Sequence, residues 1–174
     1  MTTYVPGFVV PTVVGVTACS IFSGGNFVIS LITIPMFIDS NPANTLHLAR
    51  QWQELYDIGS KVGPVLGITS LSGFIYAWRQ LPATASVQRQ LLLAAAVLSV
   101  AIGPFTFTAM ARTNNELHRR AKLVTSQEEV KVGRKAGAAE STSTPDLLRW
   151  WTKLNLAYVQ CWCIPCTYCR LEQC

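Results

Sequence analysis

The sequence predicts an all-α protein: an integral membrane four-helix bundle with a short interfacial helix between the first two spans. Three observations predict it. Only 13% of the 174 residues are charged, about half the share of an ordinary soluble domain. Residues 1–38 hold no Asp, Glu, Lys, Arg or His. Three further charge-free runs follow: 17 residues between Lys61 and Arg79, 22 between Arg89 and Arg112, and 16 between Lys153 and Arg170. A helix needs roughly 20 largely apolar residues to cross a hydrocarbon core. The runs therefore place spans at about 11–37, 58–78, 91–110 and 147–168, within a single membrane domain, 1–174. This composition excludes a disordered chain and a coiled coil, and it argues against a soluble enzyme.

The first span starts near Pro11, whose missing N–H costs nothing in a first helical turn. Pro35 ends or kinks it near its exit. No positive n-region precedes it and its apolar run is far longer than that of a signal peptide, so it reads as a retained membrane helix. Ser23, Gly24, Gly25 and Asn26 at mid-span offer a helix-packing notch, or an amide that contacts a substrate. Residues 39–57 form a polar connection. Leu46, Leu48, Trp52 and Leu55 make one apolar stripe of a short helix, with Arg50, Gln51 and Glu54 turned elsewhere. Trp52 and Tyr56 would anchor this helix at the interface.

In the second span Gly59, Gly63 and Gly67 recur every four residues and admit a close helix neighbour. Lys61 snorkels to the head groups, and Trp78 with Arg79 closes the far end. Pro82 lies in the short loop before the third span, where Gly103-Pro104 marks a kink. Residues 121–145 are expected to be a mobile cytosolic loop, its tail rich in Ala, Gly, Ser and Thr. Asp146, directly after Pro145, is the expected N-cap of the last helix.

Four spans divide the basic residues unequally. One side holds Arg50, Lys61, Arg112, Arg119, Arg120, Lys122, Lys131, Arg134, Lys135, Arg149 and Lys153, which is 11 of 14; the other holds Arg79, Arg89 and Arg170. The positive-inside rule puts the first set in the cytosol and both termini across the membrane. The same crowding explains the net charge of +5 without nucleic acid, since no basic patch is interleaved with stacking aromatics.

The polar residues gather as the charges do. Asp39, Tyr56, Asp57 and Lys61 lie at the cytosolic ends of the first two spans. Thr113, Asn114, Asn115, Glu116 and His118 follow the third, and Arg149, Trp150, Lys153 and Asn155 open the fourth. A bundle brings these around one mouth. An apolar cavity with a polar rim suits a flat, greasy substrate with polar edges; an interface that merely collects polar and aromatic residues has the same composition.

Neither histidine, His47 or His118, belongs to a metal-ligand pattern, and there is no phosphate loop and no G-x-S-x-G elbow. Cys161, Cys163, Cys166, Cys169 and Cys174 crowd the C-terminus. Their spacing is not that of a zinc ribbon. A soft metal, palmitoylation, lumenal disulfides, or a tail without a chemical role all fit it.

Three segments then resemble the fungal anthrone oxygenase family, small four-helix membrane proteins of polyketide pathways. Trp52-Gln53-Glu54-Leu55-Tyr56-Asp57-Ile58-Gly59 matches a W-x-x-x-Y-x-x-G pattern, Thr113-Asn114-Asn115-Glu116-Leu117 a T-N-x-x-L pattern, and Arg149-Trp150-Trp151-Thr152-Lys153-Leu154-Asn155 an R-W-x-x-x-L-N pattern. Order and spacing agree over roughly 8–160. This chain departs at Tyr158, where the family commonly has a basic residue, and in the cysteine-rich tail.

The resemblance implies oxidation of an anthrone-type polyketide to an anthraquinone by O₂ as co-substrate, with no flavin or metal cofactor. The substrate's doubly benzylic CH₂ is acidified by its carbonyl, so a modest base gives an enolate that reacts with O₂. Such a site needs a base, donors to the enolate oxygen, and a cavity that excludes water. Asn114, Asn115, Arg149 and Asn155 are the candidate donors; His47, or Tyr56 activated by Lys61, is the candidate base. The partners implied are the anthrone, membrane lipid, and a second copy or pathway enzymes, in an endomembrane. The alternative is a non-catalytic membrane scaffold or a small transporter of such a pathway. A transporter more often buries an ionisable residue at mid-span, and none is visible.

Overall fold

The computed structural model describes residues 7–40, 45–123 and 143–171, the side chains of 46 and 159–171 excepted. Among them there are five helices and no strand. We number them α1 (Val9–Ser40), α2 (Thr45–Gln80), α3 (Ser86–Thr108), α4 (Ala111–Leu123) and α5 (Thr144–Leu171). Three helices are long and apolar enough to cross a membrane: Val9–Ser40, His47–Gln80 and Ser86–Thr108. The expected fourth span falls within α5, whose 28 residues reach about 42 Å at 1.5 Å per residue.

The helices run longer than the charge-free runs. Residues 45–57 are helical, as the apolar stripe requires, but continue into the second span as one 36-residue helix, because nothing between Thr45 and Ile58 breaks it. Pro35 does not end α1. The helix widens to a π turn over Ile29–Thr33, where the Ile34 N–H reaches the Ile29 carbonyl, one turn before the proline ring must be accommodated. α3 stays helical through Pro104. Of the loop expected at 121–145, the first three residues end α4 and the last two open α5; 124–142 lie outside the described residues. The N-cap of α5 is Ser143, not Asp146. The Asp146 N–H donates to Ser143 Oγ at 3.2 Å, and Ser143 Oγ donates to Asp146 Oδ2 at 2.6 Å. This reciprocal capping box puts the aspartate at the third helical position, with Pro145 between.

The contacts divide the chain into two compact units. The first draws on Met1–Asn26, Val62–Pro104 and Ala157–Cys174. Its helices approach at small residues. A Cβ on Gly73 would lie 2.6 Å from the Pro11 carbonyl oxygen, one on Gly67 3.0 Å from the Ser99 carbonyl oxygen, and one on Gly63 3.2 Å from Phe22. Gly59, and the expected notch at Gly24 and Gly25, face open space. Asn26 Nδ2 donates to its own helix at the Phe22 carbonyl, 2.8 Å away. Arg89 stacks on Trp78: its guanidinium lies 4.5 Å from the ring centroid and donates to the Leu81 carbonyl. Tyr158 Oη donates to the Leu98 carbonyl at 3.0 Å. The many exposed valines and isoleucines of these helices, Val10, Val13, Val65, Ile68 and Val97 among them, suit a lipid surround.

The second unit draws on Phe27–Lys61 and Phe105–Leu156. Its core is Ile34, Leu48, Trp52, Met110, Leu117, Leu148 and Trp151, with Phe37, Leu55, Tyr56 and Leu154 packed against it. Trp52 is thus no interfacial anchor. It is fully buried, because the Leu48–Trp52 stripe of α2 meets the apolar stripes of α4 and α5.

Candidate functional site

All seven candidate site residues fall in the second unit. The three sequence motifs meet there, though they lie far apart along the chain. Trp52, from the first, sets its ring edge-on to Trp151, from the third, with centroids 6.2 Å apart. Trp151 Nε1 donates to Oδ1 of Asn114, from the second, at 3.0 Å in a buried bond. Asn155 Nδ2 donates at 2.9 Å to Ser30 Oγ, which sits in the π turn of α1. Asn114 and Asn155 are each only 4% exposed. A buried amide needs such partners, so both asparagines join helices in the wall of the unit.

A cavity of about 730 Å³ lies beside this core, lined by Arg50, Gln53 and Glu54 of α2 and by Asn115, His118, Arg119, Ala121 and Lys122 of α4. Of the seven candidates only Asn115 lines it. Tyr56 is adjacent: its ring packs on Trp52 at 5.0 Å and on His118 at 4.8 Å. Lys61 is exposed. Five helical positions separate it from Tyr56, a rotation that sets the two about 140° apart on α2. Arg149 is exposed and paired with Asp146 at 3.1 Å. His47 is exposed near the start of α2.

The histidine at the cavity is His118. Its Nδ1 is hydrogen-bonded to Gln53 Oε1, and its ring stands at 63° to Trp52 with centroids 5.0 Å apart. Burial pushes its pKa below the ordinary 6.5; the Asp57 carboxylate opposes this and Lys122 reinforces it. Gln53 Nε2 donates in turn to Asp57 Oδ1 at 2.7 Å. Glu116 is unlike it in every respect. The Arg119 guanidinium, with Arg120 beside it, holds its carboxyl down at about 2 against partial burial. One donor of this unit remains unused: Trp52 Nε1 is buried without a partner among the described residues. Sequence reasoning placed His118 at the rim but gave it no role, because its partner Gln53 lies 65 positions away. Among the described residues no three His, Cys, Asp or Glu side chains form a metal-sized cluster. The side chains of Cys161, Cys163, Cys166 and Cys169, and all of Cys174, lie outside the described residues.

The family model for anthrone oxygenase matches residues 52–159. An anthrone oxygenase of Pestalotiopsis fici is 35% identical over 128 residues, covering 73% of this chain and 84% of the relative. One of Claviceps purpurea is 36% identical over 116 residues, 64% of either chain. A monooxygenase of Dothistroma septosporum is 28% identical over 147 residues, 84% of this chain and 71% of its own length. No solved structure matches at a significant level. The matched segment opens at Trp52 and closes just past Asn155; it holds Trp52, Met110, Leu117, Leu148 and Trp151 of the second unit's core and every cavity-lining residue but Arg50, and by it this chain belongs to the anthrone oxygenase family.

Proposed function

We propose that this chain is an oxygenase that converts an anthrone-type aromatic polyketide to an anthraquinone with O₂. The observation that carries the reading is the cavity beside the converged motifs. A histidine held toward its neutral form, an amide and several cationic side chains line it. The volume is ample for a tricyclic substrate.

The chemistry balances without a further oxidant. A base takes one proton from the CH₂, leaving an enolate. The enolate gives electrons to O₂ and joins it, forming a C–O bond, and the peroxide takes a proton. Loss of the second C–H proton and departure of hydroxide leave the ketone and water. The carbon gives up four electrons and O₂ accepts four, so the protein itself is not oxidised. In this reading no flavin or metal takes part. Asn115, Arg50 and Lys122 face the developing enolate, where oriented donors act most strongly. Asn114 and Asn155 serve through the walls they hold.

The chain then works as one membrane domain of four spans, with α5 as the fourth. It sits in an endomembrane, with the 121–145 loop and the cavity on the cytosolic side. Lipid surrounds it, and a second copy or pathway enzymes are its protein partners. The test is turnover: membranes bearing the chain, given a hydroxylated anthrone, should form quinone and consume O₂ in equal amounts, faster than control membranes. Rates equal to the control would leave a scaffold or a small transporter.

A further inference from the structure

α2 and α4 carry paired stripes. In α2, Leu48, Ala49 and Trp52 are buried in the core, while Arg50, Gln53 and Glu54 line the cavity. In α4, Asn114 and Leu117 are buried, while Asn115, His118 and Lys122 line it. Gln53 and His118 meet where the two cavity stripes face each other.

The network assigns the tautomer of His118. A carboxylate only accepts, so the group that Gln53 gives to Asp57 is its NH₂. Its Oε1, which also only accepts, is left facing His118 Nδ1. Nδ1 must therefore carry the hydrogen, and in the neutral ring Nε2 holds the free lone pair.

The carboxylates nearby are less fit to take a proton. Glu54 is exposed and paired with Arg50 at 3.5 Å. Glu116 is held by two arginines, and so weak a base has little drive. Asp57 is engaged by Gln53. The charged groups around His118 are Arg50, Glu54 and Asp57 from α2 and Glu116, Arg119 and Lys122 from its own helix; across Trp52 stands Trp151 of α5, which is uncharged.

We infer that His118 Nε2 is the base that removes the benzylic proton, and that Gln53, clamped by Asp57, is the positioning residue that fixes its tautomer. The inference rests on the anthrone reading for its substrate. The C–H bond breaks, an N–H bond forms at Nε2, and the electron pair passes to the ring ketone oxygen. The resulting imidazolium can return the proton to the peroxide formed when the enolate captures O₂.

Two measurements on the full chain in detergent test this separately. The chain has two histidines, so His47→Gln leaves one ring, and its ¹⁵N shifts report the tautomer without any turnover. The neutral ring of His118 should carry its hydrogen on Nδ1, and Gln53→Leu should mix the tautomers. A hydrogen on Nε2 in the unmutated network overturns the clamp.

Turnover of a hydroxylated anthrone gives the second measurement. His118→Gln should lower kcat about a hundredfold or more, with KM changed only a few-fold. Gln53→Leu should lower kcat about tenfold, and Gln53→Glu should restore most of it. The acid limb of the Gln53→Glu pH profile should move to higher pH, because a carboxylate beside Nδ1 stabilises the imidazolium. A merely structural Gln53 would change protein yield and leave that limb in place. Full kcat in His118→Gln overturns the base. Turnover no faster than control membranes in the unmutated chain overturns the anthrone reading, and with it the base. The tautomer measurement decides the clamp in every case.

Discussion

Asn114→Ala separates a wall from a donor. In the structure its Oδ1 accepts the Trp151 indole N–H at 3.0 Å, with Asn114 4% and Trp151 7% exposed. Truncation leaves that N–H buried and unpaired, which costs about 1–3 kcal/mol. For a chain of this size the cost is a fall of about 2–12 °C in Tm. Trp151→Phe removes the donor, so adding Asn114→Ala to that background should cost much less than it does alone. The coupling between the two should be about 1–2 kcal/mol. Thermal unfolding of the detergent-solubilised chain, by tryptophan fluorescence or aggregation, reads all four variants. Turnover per folded molecule should fall only modestly. The reasoning would be refuted by an unchanged Tm together with about a hundredfold lower kcat, the mark of a lost oxyanion donor. Additive single effects would show equally that the Asn114–Trp151 bond carries no stability.

Gly73→Ala should lower stability by at least about 2 kcal/mol, because its new Cβ would meet the Pro11 carbonyl at 2.6 Å. Gly24→Ala, in open space, should be neutral or gain up to about 1 kcal/mol from helix propensity; equal Tm values for the two would refute the close approach. Glu116 has a folded pKa of about 2 against an ordinary 4.5, so its contribution is present above 4.5 and lost as pH falls toward 2. Stability of Glu116→Gln should accordingly fall less steeply than that of the unmutated chain over that window, and an identical acid titration would contradict the pairing. His118 titrates below 6.5 in the folded state, so the unfolded chain protonates first and stability falls as pH drops below 6.5; His118→Gln should flatten that fall. The chain should resist alkaline carbonate extraction, and a glycosylation tag near position 137 should stay unmodified; efficient modification would invert the proposed topology.

Three long apolar helices were legible because charge is excluded from hydrocarbon, and that rule leaves blank runs in the sequence. Their ends were less legible. The runs of residues 58–78 and 91–110 stop at charges, while the helices start earlier, at Thr45 and Ser86, because helix formation does not require uniform polarity. The glycine repeat gave the face of α2 correctly for Gly63 and Gly67, but spacing alone does not say which glycine has a neighbour. Gly73 and Gly15 crowd each other across 58 positions, while Gly24 and Gly25 meet nothing. The N-cap was misplaced by three residues, since an aspartate after a proline and a serine three positions earlier are two halves of one motif. The partner of His118 is not written near it in the sequence, so neither its burial nor its tautomer could be read there.

The candidate residues themselves show why motif reading gathers in one unit yet reaches only one residue of the cavity. On a helix, neighbours in sequence point about 100° apart. Trp52 points into the core and Gln53 into the cavity; Asn114 is buried and Asn115 is open to it. The first two motifs therefore each carry a wall residue and a cavity residue side by side, while the third carries wall residues alone. The wall residues are the conspicuous ones, a tryptophan and amides among apolar neighbours, because a large ring or a buried amide must match its partner in shape and hydrogen bonds. The cavity residues face solvent or a ligand and stand out less. His118 lies one turn beyond Asn114, so the Trp151–Asn114 bond that secures α4 also sets the height at which the imidazole meets Gln53. The stability of the wall and the geometry of the base are in this way two consequences of one helix docking.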